Sequence, residues 1–122
     1  YHWLRQQSFA HPAVSLARSS EFADFVIAPA TRSSFRAGPA ASYMRRSDGR
    51  EQCHAYIRLE HFEEDSAPLA AHLGFDLALP HANRSERRAD FRSYYTDRTA
   101  EAVATACAED IGRFSYSFDG PQ

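Results

Sequence analysis

The stretch from residue 83 to residue 97 reads NRSERRADFRSYYTD and contains the side chains most suited to binding an anion. Four of its residues are arginines, and each guanidinium group presents N–H donors in a plane that matches the oxygens of a phosphate or sulfate. Neighbouring hydroxyl and amide groups add further polar contacts. The combination suits a phosphate or sulfate dianion, and it consists of Asn83, Arg84, Ser85, Arg87 and Arg88.

The same stretch also fits a role that involves no ligand. Its arginines would then form a solvated basic loop, and Phe91, Tyr94 and Tyr95 would anchor the next helix to the core. Residues 83–85 match a glycosylation sequon as well, although nothing else in the chain indicates secretion. From these residues alone, an anion site and a basic loop both remain open.

Sequence patterns for metal binding and for several kinds of catalysis are absent. The six histidines do not occur in HExxH or in another ligand spacing, so no metal site is expected. Cys53 and Cys107 lie far apart without a CxxC pattern and are predicted to be free thiols. The sequence contains neither GxSxG nor GxxxxGK[ST], so the catalytic residues stay unknown and a principal phosphate loop would lie outside this chain.

The bulk properties favour a globular protein. A chain of 122 residues is enough for one domain, so residues 1–122 are expected to form a single unit. The net charge of -2 gives no general attraction to nucleic acid. No apolar run approaches the roughly 20 residues of a transmembrane helix, and a cytoplasmic location is the default expectation. The chain begins at Tyr1 rather than at methionine, and it is expected to be part of a longer protein.

The first half of the chain is predicted to contain two helical segments and a long connection. Residues 1–7 fit the end of a helix. A second helix is expected to be capped by Ser20 and to end before Pro29. Residues 31–50 are rich in serine, arginine, glycine and proline, which favours an irregular connection with about one helical turn at 42–45.

The middle of the chain is predicted to form a strand followed by a helix. Residues 54–62 (HAYIRLEHF) alternate in polarity and include β-branched and aromatic side chains, which is typical of a strand. The following helix has an acidic start and should end at Gly74, provided that Pro68 lies in its first turn.

The last part of the chain is predicted to be helical. A helix capped by Thr96 or Asp97 should run to about Gly112, because its interior is rich in alanine and its apolar residues share one side. Residues 114–118 (FSYSF) are expected to pack back onto the core.

The order of these segments resembles the C-terminal half of a carbohydrate-type sulfotransferase that uses 3′-phosphoadenosine 5′-phosphosulfate. Residues 56–75 (YIRLEHFEEDSAPLAAHLGF) are similar to the family's strand, glutamate, acidic pair and helix ending in Leu-Gly. Residues 79–118 are similar to the family's block in which Pro and Asn-x-Ser/Thr precede a Tyr-Tyr helix start and a final Phe-x-Tyr-x-Phe. The resemblance covers nearly the whole chain.

This resemblance implies an α/β fold, specifically the C-terminal part of a P-loop-like three-layer sulfotransferase fold. In this fragment the fold would be mostly helical with about one strand. The implied reaction transfers a sulfuryl group from the cofactor to a hydroxyl or amine of a small-molecule or carbohydrate acceptor. The residues implied to bind the 3′-phosphate side of the cofactor are Asn83, Arg84, Ser85 and Arg88.

The resemblance also implies that essential parts of the enzyme precede Tyr1. The family's lysine-containing phosphosulfate loop, its arginine and serine for the 3′-phosphate and its usual base have no counterpart in this chain. Glu60 matches the family's strand-end glutamate, for which a structural and a catalytic role are both open. Because electrostatic stabilisation of the developing charge is usually the largest catalytic contribution, this chain alone is expected to be inactive.

A second hypothesis involves no catalysis. The chain would then be a helical interaction module that binds an acidic partner through its arginine-rich loop. The segment that precedes Tyr1 distinguishes the two hypotheses, because a phosphosulfate loop there would favour the enzyme.

Overall fold

The computed structural model describes residues 1–80, 82 and 85–120. This part of the chain consists of short helices joined by turns, with one isolated antiparallel bridge between Arg45 and Glu51. None of its helices has the length and apolar character needed to pass through a membrane. The helices, of which η1 and η2 are 3₁₀ helices, are α1 (His2–Gln6), α2 (Pro12–Ser19), α3 (Phe22–Ile27), α4 (Pro29–Ala37), α5 (Ala40–Met44), η1 (Leu59–His61), α6 (Phe62–Leu73), η2 (Phe91–Tyr94), α7 (Asp97–Ala106) and α8 (Ala108–Phe114).

The predicted α/β fold is wrong. No strand or sheet occurs among residues 1–80, 82 and 85–120, so a P-loop-like three-layer arrangement is not formed there. The described residues are mostly helical, and the one strand expected in this fragment does not occur among them.

The predicted strand at residues 54–62 is replaced by extended chain and by η1. The backbone N–H of Arg58 donates to Oδ2 of Asp65 at 2.9 Å, and its guanidinium donates to both carboxylate oxygens at 2.7 and 2.8 Å. These hydrogen bonds hold the pKa of the Asp65 carboxyl well below its usual value. Because a side chain of α6 satisfies the Arg58 backbone N–H, this group needs no neighbouring strand.

The described residues form two compact units. The first unit contains residues 1–43 and 85–120, and the second contains residues 44–80 with Ala82. The expectation that residues 1–122 act as a single unit stays a prediction.

The core of the first unit is formed mainly by α2, α3 and α7. Its buried cluster consists of Ala17, Phe25 and Val26. Helix α7 contacts both α3 and α4, and α1 packs against α2. The half-buried side chains that pack against this cluster are Tyr1, Leu4, Leu16, Phe22 and Val103.

The two ends of α3 and the start of α4 confirm one prediction and correct two. Pro29 ends α3, because Ala28 is extended with ψ of 137°, as the residue before a proline tends to be. Pro29 also opens α4, where its missing N–H has no intrahelical partner to lose. The irregular connection predicted at residues 31–50 is therefore wrong for its first part, which belongs to α4.

The predicted cap at the start of α3 is also wrong. The Ser20 hydroxyl donates to the carbonyl of Leu16 at 2.6 Å and does not cap α3.

Helix α6 ends as predicted but contains its proline in an unexpected place. Gly74 follows the helix with φ of 78°, a left-handed conformation that favours glycine. Glu63, Glu64 and Asp65 occupy the first turn, where negative charge stabilises the helix dipole. Pro68 lies inside the helix rather than in its first turn, so the carbonyl four residues earlier lacks its usual N–H donor.

The predicted C-terminal helix is interrupted once. Thr96 caps α7, which confirms the predicted start, and Thr99 completes a reciprocal capping box. Cys107, with φ of -108° and ψ of 19°, separates α7 from α8, so the continuous helix predicted to reach Gly112 is wrong. A carboxylate oxygen of Asp110 accepts a hydrogen bond from the Ala40 backbone at 2.9 Å, which links α8 to the start of α5.

Replacing Thr96 with alanine should destabilise the first unit by about 1 kcal/mol, because the N-cap hydroxyl contact to the Thr99 N–H is lost. Urea unfolding followed by circular dichroism measures this loss. Thr96→Ser keeps the hydroxyl and serves as the control. An equal loss in both variants would show that the hydroxyl does not stabilise the helix.

Replacing Pro68 with alanine should stabilise α6 by up to about 3 kcal/mol, because the variant regains a backbone donor and loses a steric conflict. Slower amide hydrogen exchange within α6 would confirm this. Pro12→Ala is the matched control, since Pro12 stands at the start of α2, where no intrahelical bond is missing. The explanation fails if α6 exchanges as fast in Pro68→Ala as in the unmodified chain.

Candidate anion-binding site

The arginine-rich stretch is shaped by the short helix η2. The Asp90 carboxylate accepts a hydrogen bond from the backbone N–H of Arg92 at 3.0 Å. The Ser93 hydroxyl donates to the Asp90 carbonyl at 2.7 Å, and the Tyr95 N–H donates to the Arg92 carbonyl at 2.9 Å. These local bonds form a tight turn, which fixes the direction of the side chains on either side.

Aromatic rings attach this turn to the core of the first unit. Tyr94 and Tyr95 each contact the ring of Phe22, with centroid separations of 5.5 and 5.0 Å. Phe118 contacts Phe91 and Tyr95 edge to face at 5.7 and 5.4 Å, although Tyr116 and Phe118 are themselves exposed, so the predicted packing of residues 114–118 onto the core is limited to these ring contacts. The three aromatic residues of the stretch therefore anchor it, as the interpretation of a basic loop requires.

Arg88 is exposed and pre-oriented. Its backbone N–H donates to the hydroxyl of Tyr94 at 2.7 Å, and its guanidinium lies 5.1 Å from the centre of the Tyr94 ring. Its Nη1 atom donates to the Ser93 carbonyl at 3.3 Å. Because these contacts involve one nitrogen of a group with five N–H donors, Arg88 keeps donors that face solvent and can bind an anion.

Arg92 has a structural role that the sequence pattern did not indicate. Its Nε and Nη2 atoms donate to the carbonyls of Phe118 and Gly120 at 3.0 and 3.1 Å. Its guanidinium also lies 4.8 Å from the centre of the Phe91 ring. Arg92 therefore ties the C-terminal segment to η2 and is less suited to binding a ligand than Arg88.

Helix α1 brings further groups to the same region. The His2 ring lies 4.6 Å from the Tyr94 ring, centroid to centroid. Among the described residues, none provides a hydrogen-bond partner for the buried Nε2 atom of His2. Burial lowers the pKa of His2, and the positive charges of Arg87 and Arg5 lower it further. Sequence patterns could not place His2 here, because its contact with Tyr94 joins residues more than 90 positions apart.

The predicted site residues are only partly within the described chain. Asn83 and Arg84 lie outside the described residues. Ser85 is half-buried and Arg88 is exposed beside Tyr94. Glu60 lies in η1 of the second unit and not at the end of a strand.

Each unit also contains a pocket. A pocket of about 580 Å³ in the second unit is lined by acidic and apolar side chains, including Glu60, Glu63 and Leu79. A mostly apolar pocket of about 240 Å³ in the first unit is lined by residues that include Leu16 and Phe35. Within residues 1–80, 82 and 85–120, no three His, Cys, Asp or Glu side chains are grouped so that they could hold a metal ion.

Comparison of the chain with protein-family models, curated proteins and solved structures finds no match. The resemblance to sulfotransferases therefore stays a hypothesis based on the two sequence blocks. Any function has to be inferred from the side chains that the structure brings together.

Replacing Arg92 with glutamine should loosen the C-terminal segment, because its paired hydrogen bonds to the Phe118 and Gly120 carbonyls are lost. Faster hydrogen exchange and faster proteolysis of residues 115–120 would reveal this change. Arg98→Gln removes an exposed arginine from α7 and is the control. Equal protection in the Arg92 variant and the unmodified chain would contradict the proposed tie.

Proposed function

We propose that the chain is the C-terminal part of a sulfotransferase that uses 3′-phosphoadenosine 5′-phosphosulfate. The acceptor is a hydroxyl or amine of a small molecule, such as a carbohydrate, and the location is cytoplasmic. Arg88 carries this proposal, because its exposed guanidinium is held beside Ser93 and Tyr94 with donors directed to solvent. Ser85 lies in the same segment, and Asn83 and Arg84 are assigned to the site by resemblance alone.

The donors of this site fit the 3′-phosphate of the cofactor. Within the part of the chain that the structure describes, no carboxylate lies within salt-bridge distance of Arg87 or Arg88. Forked donors without a carboxylate partner can bind two phosphate oxygens at once. The phosphate would therefore neutralise charge that the protein itself leaves uncompensated.

In this proposal, the chain binds and orients but does not complete the reaction. The cofactor supplies the sulfuryl group that is transferred in line to the acceptor. Arg88 and its neighbours hold the 3′-phosphate and thereby fix the position of the nucleotide, which lowers the entropic part of the barrier. The lysine-containing loop and the base are assigned to a segment that precedes Tyr1.

A second candidate is a helical interaction module that binds an acidic protein segment through the same arginines. The observation that favours it is the helical fold, since residues 1–80, 82 and 85–120 contain no strand. Exposed arginines on a helical scaffold suit clustered carboxylates as well as a phosphate.

Calorimetry with two nucleotides tests the proposal. Adenosine 3′,5′-bisphosphate should bind about tenfold more tightly than adenosine 5′-monophosphate, because only the former carries a 3′-phosphate for a charge-assisted contact. Arg88→Gln should remove this preference. Arg36→Gln, which removes an exposed arginine from α4, should leave it unchanged.

Two results separate the two candidate functions, and a third tests whether the effect is specific to Arg88. Equal affinity for the two nucleotides in the unmodified chain would contradict the sulfotransferase proposal. Binding of a glutamate-rich peptide that depends on Arg88, without a preference for the bisphosphate, would support the interaction module. Loss of the nucleotide preference in Arg36→Gln would show that the effect is not specific to Arg88.

A further inference from the structure

The mostly apolar pocket of the first unit lies where its N-terminal helices meet. This pocket of about 240 Å³ is lined by side chains of α2, α3 and α4, together with Leu4 of α1. Helix α4 contributes Thr31, Ser34 and Phe35, whose spacing of three and four residues places them on one face of the helix. Helix α3 contributes Phe25, a member of the buried cluster. The pocket is therefore built on helices that form the core of the first unit.

The lining of this pocket carries no fixed charge. None of the described residues that line it is a carboxylate or an arginine. Most of them are aliphatic or aromatic, and the polar ones are His11, Thr31 and Ser34. An ion would lose part of its hydration here without gaining a counter-charge, so the pocket favours a neutral molecule.

His11 provides a hydrogen-bond donor whose position on the ring is defined. Its Nδ1 atom accepts from the backbone N–H of Ala13 at 3.1 Å, which caps the start of α2. A ring nitrogen that accepts in this way carries no hydrogen, so the hydrogen of the neutral ring is on Nε2. The hydroxyls of Thr31 and Ser34 can donate as well. A molecule with a hydrogen-bond acceptor therefore matches the polar groups of this pocket.

Aromatic side chains lie both in the pocket and beside it. Phe25 and Phe35 line the pocket, and Phe35 is 37% exposed. The Phe9 ring lies 6.3 Å from the His11 ring and 6.2 Å from the Trp3 ring, centroid to centroid. Aromatic rings favour other aromatic rings in offset or edge-to-face contact, and covering exposed apolar surface is favourable in itself. These side chains therefore favour an aromatic ligand.

The size of the pocket restricts the ligand to a small molecule. An engineered apolar cavity of about 150 Å³ binds benzene, and pockets for drug-sized ligands begin near about 300 Å³. A pocket of about 240 Å³ lies between the two. It suits a fused two-ring molecule of about ten non-hydrogen atoms, whereas an α-helix of a partner protein, about 10 Å across, is too wide to enter.

We propose that this pocket binds a small neutral aromatic molecule with one hydrogen-bond acceptor, whose rings pack against Phe25 and Phe35 and whose acceptor is bound by His11. The pocket lies within residues 4–35, and none of the described residues that line it belongs to the arginine stretch. The inference therefore goes beyond the proposed function and does not depend on it.

Titration with two ligands of the same shape, followed by nuclear magnetic resonance, tests the proposal. Isoquinoline and naphthalene differ in one ring atom, which in isoquinoline is a nitrogen acceptor that stays neutral at mildly alkaline pH. Both ligands should shift the signals of Leu16, Thr31 and Phe35 until the site is saturated. For isoquinoline, a Kd of about 1 mM or below is expected from its size.

A variant of His11 tests how the acceptor is bound. His11→Ser keeps a side chain that can cap the start of α2 but removes the ring and its Nε2 donor. The affinity for isoquinoline should fall about fivefold relative to the affinity for naphthalene, because one hydrogen bond is lost. An equal change for both ligands would overturn the assignment of the acceptor to His11.

Filling the pocket identifies where the ligands bind. Ser34→Leu and Ala30→Leu each enlarge a side chain that lines the pocket, and each should prevent both ligands from binding. Two filling variants guard against failure of one to fold. Ser33→Leu is the matched control, because Ser33 is exposed on the same helix but does not line the pocket. The inference fails if the signals of the lining residues do not saturate, or if Ser33→Leu weakens binding as much as Ser34→Leu does.

The outcomes also separate this inference from the proposed function. Arg88→Gln should leave the binding of isoquinoline unchanged, since Arg88 does not line the pocket. If the bisphosphate is preferred but isoquinoline does not bind, the sulfotransferase proposal stands and this inference is wrong. If isoquinoline binds in the pocket but both nucleotides bind equally well, this inference stands and the sulfotransferase proposal is wrong.

Discussion

The contact between Phe22 and the paired tyrosines of the arginine stretch determines how the first unit presents its charge. Phe22 belongs to α3, and its ring meets Tyr94 at 5.5 Å and Tyr95 at 5.0 Å. Aromatic contacts of this kind stabilise beyond the area that they bury, typically by about 0.5–1.5 kcal/mol each. They are the ring contacts that join the stretch before α7 to α3, while Tyr94 also contacts His2 of α1 and Tyr95 also contacts Phe118.

The arginines of one short stretch perform different tasks because their surroundings differ. Arg92 faces two backbone carbonyls and closes the C-terminal segment. Arg88 rests on an aromatic ring and keeps donors toward solvent. Arg87 is exposed and acts on His2 through its charge. Composition alone therefore does not determine whether an arginine is structural or able to bind an anion.

The sequence predicted local features of the fold more reliably than features that depend on distant residues. Pro29, Gly74 and Thr96 mark helix ends correctly, because the preferences of proline, glycine and an N-cap threonine act within a few residues. The strand at 54–62 was wrong, since an alternating pattern needs a neighbouring strand that this part of the chain does not provide. The prediction that Pro68 lies in the first turn of its helix was also wrong. Contacts elsewhere in the protein can retain a proline inside a helix, although the local preference of proline disfavours that position.

The candidate site was predictable only in its charge. The basic stretch is visible in the sequence, whereas the approach of α1 depends on packing through Phe22 and Tyr94.

The bonds from Arg92 to the C-terminal segment have a consequence for the order of folding. They join residues 26 and 28 positions apart, whereas the hydrogen bonds within an α-helix join residues four positions apart. Closing a loop of that length costs more entropy than extending a helix, so the helices can assemble before this segment docks. Until it docks, the Nε and Nη2 donors of Arg92 face water rather than these two carbonyls, so a nascent chain would present more arginine donors to anions than the folded protein does.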